Sequence, residues 1–500
     1  EELYPTHVPG SPELSASPMA NLSEALLPDR KATWFEPRSA VRAAYINSVK
    51  SVFGTGLLAL PSAILAVGAP AGCLLTALCG IWSIYTMQLL AWCVDAAVAA
   101  GVTPKSYGEL CLHSLGRTGG LLSAGNMLVS QLACCATYLV FIGDNVGQLL
   151  GVPKERVMLC VTPFFVLLCW LRDLSMLEPT SAIGTAVLLL ALLTVLGEGL
   201  ASPHEAAPRL ASFDPSAVAP FIGVGLFTFT GHDSTVAVVL SMGERKGEYS
   251  SILLALATAG VGVILAYALA CAVLYGDETQ GNILLSVDGG LAAGLKACMS
   301  VAVLFSLPIK MFPASQIVEE ALFTHDTAAG EGAEEEGGGA AEAARGAQQA
   351  GGGHSHACGR TAARTALALV SLLTALSLPD FKFLVALSGA LNVGVIAFVL
   401  PPLMYVLLAR GAMRPASVAA HGLLCALGAL ATAVVCRVLG QRSLNPFGPY
   451  TGTVVTVLCT AMVVAQKLHP AGGELPPTPP PLDTYEVEDP LESYDWRAGG

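Results

Sequence analysis

The sequence predicts an all-α integral membrane protein with eleven or twelve membrane-spanning helices. Of its 500 residues, 54% are hydrophobic and only 12% are charged, whereas a soluble domain carries about 25% charged residues. The apolar residues form runs of about the 20 residues that a helix needs to cross the hydrocarbon core. Each run is expected to be helical, because an exposed strand edge leaves backbone polar groups unpaired in lipid.

Eleven apolar runs follow one another within residues 41–440, which we interpret as the transmembrane domain. A twelfth run, 449–467, falls within residues 441–470 and would either cross the membrane or lie at its surface. The eleven runs are 43–66, 71–97, 121–150, 157–171, 178–200, 216–240, 250–275, 290–322, 362–378, 382–409 and 416–439.

Three polar segments flank or interrupt these runs and hold most of the acidic residues. They are an N-terminal tail at 1–40, a Gly-, Ala- and Glu-rich loop at 324–360 and a Pro-rich C-terminal tail at 471–500. Together they contain 19 Asp and Glu against six Lys and Arg, so the net charge of −12 comes from them. Their composition predicts disordered cytosolic segments. The acidity argues against nucleic-acid binding, and the tails are candidates for binding cytosolic sorting partners.

Basic residues in the connecting segments predict a cytosolic N-terminus. With that orientation, the inner segments carry fourteen Lys and Arg and the outer segments carry six. Positive residues favour the cytosolic side of a membrane. If the twelfth run spans, the C-terminal tail is cytosolic as well.

The 14 cysteines are scattered, mostly within apolar runs, which predicts buried thiols rather than a disulfide framework or a metal site. Cys134 and Cys135 are adjacent, and no CxxC spacing occurs. His354, His356 and Cys358 are potential metal ligands, but in a Gly-rich segment we favour a solvated loop. We therefore expect neither a metal nor a cofactor.

The first run contains Gly54-Thr55-Gly56 at its middle, followed by Pro61. Glycine permits unwound backbone and close approach of a ligand. An interruption there would free amides that suit a carboxylate and carbonyls that suit an ammonium group. Glycine also packs membrane helices together, so ordinary packing is the alternative interpretation.

The sixth run, FIGVGLFTFTGHDSTVAVVLSM, repeats the pattern with three glycines followed by His232 and Asp233. Interruptions in the first and sixth runs match inverted five-helix repeats, whose substrate site lies between the paired broken helices. Ionisable residues this deep in an apolar segment are functional candidates. An imidazole exchanges protons near neutral pH, so both residues are candidates for ion coupling.

Two lysines also fall within apolar runs. Lys310, between Pro308 and Pro313, would supply a fixed positive charge where a sodium-coupled transporter holds its ion. Lys50 precedes the first glycines by one turn and would snorkel to the surface, pair with an acid or serve the site.

The third run adds two candidates. Asp144 would line the pathway or cap the helix at the interface. Tyr138 would cover the site as an aromatic lid or pack within the bundle. No Walker P-loop, HExxH or GxSxG motif occurs, so the sequence favours neither an enzyme nor an ATP-driven pump. The energy source would then be an ion or solute gradient.

Several segments resemble the amino acid/auxin permease family. KSVFGTGLLALPSAI is similar to the first-helix signature of that family, and SYGELCLHSLGR resembles its segment before the third helix. The resemblance covers about residues 38–440. The other matching segments are SQLACCATYLVFIGDNV, FTFTGHDSTVAVVLSM, YGDETQGNILLSV, FPASQIVEEALF and LPDFKFLVALSGALNVGVIAFVLPPLMYV.

The resemblance implies a LeuT-like fold of the APC superfamily, with ten core helices and one or two more. By motif, the backbone from Ser51 to Gly56 would hold a substrate carboxylate, and residues from Phe229 to His232 would bind the amine and side chain. One proton-coupled branch has F-E-G where this chain has Phe229-Thr230-Gly231, whereas the Gly-His pair resembles the vacuolar and vesicular branch.

These observations together predict secondary active transport of amino acids, neutral ones above all, by alternating access. Proton coupling is favoured over sodium coupling because His232 and Asp233 lie beside the predicted site, and symport and antiport both stay open. The membrane would be vacuolar, lysosomal or plasma. The main alternative is an amino-acid-sensing receptor with a transporter-like body. A channel is a third, without a charge ring or filter sequence to favour it.

Overall fold

The computed structural model describes residues 37–171, 178–201, 211–323, 340–409 and 415–444. Every regular element within these residues is a helix, of the α, 3-10 or π type. Most of the two predicted tails and the whole of the twelfth run at 449–467 lie outside the described residues. The side chains of His354 and His356 lie outside them too.

Residues 37–171 and 178–201, as far as the structure describes them, form six α-helices, with a 3-10 turn at Thr55–Leu58 between the first two. Gly151 ends the fourth helix with a φ of 64°, a left-handed conformation that favours glycine. Gly116 has a φ of 68° and kinks the same helix. The helices are α1 (Pro37–Val52), α2 (Leu60–Val67), α3 (Ala69–Ala99), α4 (Tyr107–Leu150), α5 (Lys154–Cys169) and α6 (Glu178–Ala201).

The described residues from 211 to 444 form nine further α-helices, and two pairs of them are joined by π-helical segments. One π segment, Leu256–Gly260, joins α9 to α10, and the other, Gly389–Val399, joins α13 to α14. The helices are α7 (Val218–Thr228), α8 (His232–Ser241), α9 (Tyr249–Ala255), α10 (Val261–Tyr275), α11 (Gly290–Phe323), α12 (Ala340–Ser377), α13 (Phe381–Ser388), α14 (Leu400–Ala409) and α15 (Pro415–Leu444).

Eight helical segments of the described chain are long and apolar enough to cross a membrane. Large apolar side chains such as Leu74, Leu193 and Leu430 are about 60% or more exposed on the outside, as expected for a surface in contact with lipid. The protein is therefore a multi-pass integral membrane protein. The eight segments are Ala69–Ala99, Tyr107–Leu150, Ile183–Ala201, Pro215–Ser241, Arg245–Glu278, Gly290–Leu322, Phe381–Ala409 and Pro415–Leu439.

The helices differ from the apolar runs at two places. α4 begins at Tyr107, well before the predicted start at residue 121, because the Ser106 side chain accepts a hydrogen bond from the Glu109 amide and caps the helix. α12 begins at Ala340, inside the predicted disordered loop. Alanine and glutamine are common in that segment and favour helix. Residues 324–339 of the predicted loop lie outside the described residues.

Packing between distant helices brings the two broken regions together. α11 packs against α4 and α6, while α7 packs against α2, α3 and α13. The approach of α7 to the π segment is so close that a Cβ atom on Gly389 would overlap the Gly223 carbonyl. The Thr55–Leu58 turn also lies against α7, so the interruptions of the first and sixth runs meet inside the bundle.

Candidate functional site

The first run is interrupted between α1 and α2, as its glycines predict. α1 ends at Val52, and Gly54 adopts an extended backbone with φ −113° and ψ −172° before the 3-10 turn begins. No side chain caps the start of that turn. A Cβ atom on Gly56 would lie 2.9 Å from Phe227 Cδ1 and 2.9 Å from Thr228 Cα. Glycine at position 56 therefore lets this turn contact the end of α7.

The sixth run is interrupted between α7 and α8. α7 ends at Thr228 and α8 begins at His232, with no side-chain cap at its first turn. Two carbonyls at this break have side-chain donors: Ser83 Oγ lies 2.6 Å from the Phe229 oxygen, and Thr230 Oγ1 lies 3.0 Å from the Phe227 oxygen. One donor comes from α3 and the other from the break itself, so side chains supply partners that an unbroken helix would supply from its own backbone.

A cavity of about 370 Å³ lies between the two interruptions. This volume is within the range of small-molecule sites, about 300–1,000 Å³. Both interruptions line the cavity, together with α4, α6, α11 and the π segment that begins at Gly389. The residues from the interruptions are Phe53, Gly54, Thr55, Gly56, Phe227, Thr230, Gly231, His232, Asp233 and Ser234.

The cavity contains one acidic and one basic side chain among its described lining residues. Asp233 is exposed to the cavity, and its Oδ1 accepts a hydrogen bond from the Ser234 amide at 2.9 Å. Lys310 enters from α11 and interacts electrostatically with Asp233 and with Tyr138. Among the described residues, Lys310 has no carboxylate partner within 4 Å. Lys310 therefore lines the cavity without a close ion pair among those residues.

His232 is only 2% exposed and lies at the edge of the cavity. Its Nε2 atom is 2.9 Å from Thr86 Oγ1 on α3. The imidazole is thus held by a neighbouring helix at the first position of α8.

Most of the residues predicted for the site line this one cavity. Tyr138 lies there within interaction distance of the Thr55 and Cys134 side chains. The members predicted from sequence that line it are Gly54, Thr55, Gly56, Tyr138, Thr230, Gly231, His232, Asp233 and Lys310.

Four other sequence candidates lie elsewhere or have undescribed side chains. Phe229 is fully buried and points to α3, where its ring would meet a Cβ atom on Gly80 at 3.0 Å, so the ring does not line the cavity. Asp144 pairs with Lys154 at 3.1 Å near the end of α4 and likewise does not line it. The side chains of Ser51 and Lys50 lie outside the described residues.

The sequence analysis missed polar residues that neighbouring helices bring to the site. Gln131, Cys134 and Tyr138 recur at helical spacing along one face of α4, a signal that could have indicated the first two. Thr185 on α6 and Ser306 on α11 also line the cavity, but their nearest neighbours in sequence are apolar residues and glycine, so neither was singled out.

The fold and the site define a class of protein. Its described residues form a helical membrane protein with two broken helices around a polar cavity. The family model described as transmembrane amino acid transporter protein matches residues 37–439. The chain therefore belongs to the transmembrane amino acid transporter family.

Characterised relatives carry transporter names. The chain is 30% identical to amino acid transporter ANT1 of Arabidopsis thaliana over 55% of this chain and 66% of that protein. It is 24% identical to Arabidopsis amino acid transporter AVT1B over 80% of this chain and 69% of that protein. Vacuolar amino acid transporter 4 of Saccharomyces cerevisiae is 25% identical over 60% of this chain and 42% of that protein. The matches thus span between two fifths and about two thirds of these relatives.

Proposed function

We propose that the protein is a secondary active transporter of amino acids that works by alternating access. The observation that carries the proposal is the meeting of two interrupted membrane helices at one polar cavity. Irregular backbone at membrane depth persists only where protein or a cavity satisfies it. A bound zwitterion would supply the missing partners, since its carboxylate suits amides and its ammonium suits carbonyls.

The first interruption would hold the substrate carboxylate through the backbone of residues 51–56. The second would bind the amine and side chain through Thr230, Gly231 and His232, with Tyr138 beside them. Phe229 enters this scheme through its backbone only, since its ring packs away from the cavity.

The balance of charge in the cavity supports a neutral substrate. Asp233 and Lys310 offset each other, so an amino acid with an uncharged side chain leaves no net charge in the low-dielectric interior. The Lys310 ammonium also supplies a cation at the site, which favours proton coupling through His232 and Asp233 over binding of a sodium ion.

The wider architecture follows from the same reasoning. Interruptions in the first and sixth runs, five runs apart, support LeuT-like inverted repeats with eleven or twelve spans. We place the N-terminus in the cytosol and the protein in a vacuolar, lysosomal or plasma membrane. The relatives are named as transporters, which does not favour the receptor alternative.

Uptake by purified protein in liposomes tests the proposal. A panel of labelled amino acids is offered under an imposed pH gradient and, separately, under a sodium gradient at equal pH. We expect neutral amino acids to accumulate several-fold more with the pH gradient than without it. A protonophore is the control, because it collapses the gradient while leaving the protein intact.

Two results would count against the proposal. Uptake that ignores the pH gradient contradicts proton coupling, whereas uptake of none of the amino acids contradicts transport itself. A thermal-shift screen of the same panel identifies ligands independently, because a ligand that binds only the folded state raises its stability.

A further inference from the structure

Two hydroxyl groups of α3 face the interruption between α7 and α8. Ser83 and Thr86 lie one turn apart on this helix, and both are fully buried. Ser83 donates to the Phe229 carbonyl at 2.6 Å, and Thr86 contacts the His232 ring at 2.9 Å. Neither residue lines the cavity, so any effect on the site acts through the residues that they hold.

The hydrogen bonds around Thr86 favour one ring nitrogen of His232 as the one that carries a proton. Thr86 Oγ1 lies 2.9 Å from the Ser83 carbonyl oxygen and 3.1 Å from the Trp82 carbonyl oxygen. A carbonyl only accepts, so when the single hydroxyl proton is donated to one of these two carbonyls, the Thr86 oxygen accepts from the His232 ring. In that arrangement the ring nitrogen that faces this turn, His232 Nε2 at 2.9 Å from Thr86 Oγ1, is the donor.

We propose that Thr86 is a positioning residue that holds His232 as the Nε2–H tautomer and leaves Nδ1 as the nitrogen that exchanges a proton. The inference rests on the proposed function, since it assigns the atom through which the coupled proton passes. The hydrogen bond made by one ring nitrogen sets the role of the other. Thr86 would act on coupling without touching the substrate.

The charged and titratable groups near the ring come from several elements. Asp233 on α8 acts directly on the imidazole. Lys310 on α11, and Tyr138 and Cys134 on α4, line the same cavity and interact with one another. On α3, Tyr85 instead faces His421, with Oη 2.9 Å from Nε2. α1, which also packs against α8, carries Arg42 as an exposed residue.

Solid-state NMR of the full chain in lipid, with 15N-labelled histidine, tests the tautomer directly. The His232 signal among the nine histidines is the one lost in His232→Gln. At neutral pH we expect protonated Nε2 and unprotonated Nδ1 in the unmodified protein and in Thr86→Ser. Thr86→Val, which removes the hydroxyl and keeps the shape, is expected to show a mixture of tautomers.

Thr76→Val is the matched control. Thr76 is equally buried on α3, but its hydroxyl donates to the Gly72 carbonyl of its own helix at 2.7 Å. In liposome uptake, the pH of half-maximal rate is expected to move towards acid by about half a pH unit in Thr86→Val, the difference between the hydrogen bonds that the charged and the neutral ring donate through Nε2. The direction follows because the charged imidazolium donates a stronger hydrogen bond than the neutral ring, so loss of the acceptor disfavours the charged form more. Thr76→Val is expected to keep the unmodified value.

The possible results separate the two proposals. Protonated Nδ1 in the unmodified protein overturns the role of Thr86 without any variant, and so does an unchanged tautomer and pH profile in Thr86→Val. If the tautomer is as expected but the unmodified protein transports no amino acid, the positioning role stands and the proposed function fails.

Discussion

Gly54 and Gly56 lie two residues apart at the first interruption, but their surroundings differ. A Cβ atom on Gly54 would meet nothing within 4 Å, whereas one on Gly56 would press on α7 at 2.9 Å. Neither glycine has a positive φ. The requirement for glycine at position 56 therefore comes from the close approach of two broken segments. At position 54, the space that a side chain would occupy is part of the cavity.

Alanine at position 56 is expected to lower thermal stability, and alanine at position 54 is expected to leave it unchanged. One of the atoms that the new methyl group would meet at position 56 is Thr228 Cα, which moves only with the backbone. Overpacking of this kind typically costs about 1–3 kcal/mol. Melting temperatures of Gly56→Ala and Gly54→Ala in detergent measure the difference.

The larger change Gly56→Leu is expected to abolish uptake while the protein still reaches the membrane. Equal melting temperatures for the two alanine variants, or normal uptake by Gly56→Leu, would show that close contact at Gly56 does not shape the site.

At the scale of elements, two irregular segments accept a hydrogen bond from a side chain of another helix. An unpaired backbone group in lipid costs several kcal/mol. The Ser83 hydroxyl of α3 donates to the Phe229 carbonyl in the break after α7. The Tyr107 hydroxyl likewise donates to the Ile396 carbonyl at 2.8 Å, within the π segment that lines the cavity. Neighbouring helices thus allow departures from α geometry near the site.

α5, α11 and α12 are joined by one buried arginine. Arg364 Nε lies 2.6 Å from Glu319 Oε1, and the two side chains are 11% and 15% exposed. Arg364 Nη1 also donates to the carbonyls of Cys169 and Leu171 at 3.1 and 2.9 Å. Because the arginine satisfies three acceptors, its loss would leave both a charge and two carbonyls without this donor.

Arg364→Met is expected to destabilise the fold by about 3–5 kcal/mol, the usual effect of leaving a buried charge unpaired. The double variant Arg364→Met with Glu319→Met is expected to regain most of the loss, because it removes the uncompensated carboxylate. Arg245→Met is the control, since the Arg245–Glu248 pair is 37% and 43% exposed and an exposed pair contributes at most about 1 kcal/mol.

Thermal unfolding in detergent measures all three variants. Two results would argue against stabilisation by this ion pair. One is an Arg364→Met variant as stable as the Arg245→Met control, and the other is a double variant that is only as stable as Arg364→Met.

At the scale of the whole molecule, the residues that line the cavity all lie between positions 53 and 396. The acidic C-terminal tail is far from them in sequence and outside the described residues. Deletion of residues 471–500 is therefore expected to leave the rate of amino acid uptake unchanged. A receptor that signals through its tail would instead lose its output on the same deletion.

The uptake rate per molecule of purified protein, compared with that of the full chain, checks this expectation. A large loss of flux in a truncated protein of normal melting temperature would assign the tail a part in transport.

The two interruptions could be predicted from sequence because glycine pairs in an apolar run are a local signal. The early start of α4 was not predicted, since the segment after Ser106 carries Glu109, His113 and Arg117 and has no apolar run. Phe229 was placed in the site by motif, yet its ring packs into the space left by Gly80 on another helix. A motif gives the position of a side chain along the chain and not its direction.

The sequence by itself determined that the chain is a bundle of membrane helices broken in its first and sixth runs. Local composition is sufficient for this, because hydropathy selects the spans and glycine weakens them. Only the tertiary structure decided which polar groups meet the breaks. Two contacts, Ser83 with Phe229 and Thr86 with His232, each join residues that are 146 positions apart in the sequence. Contacts over such a sequence separation arise from the packing of whole helices.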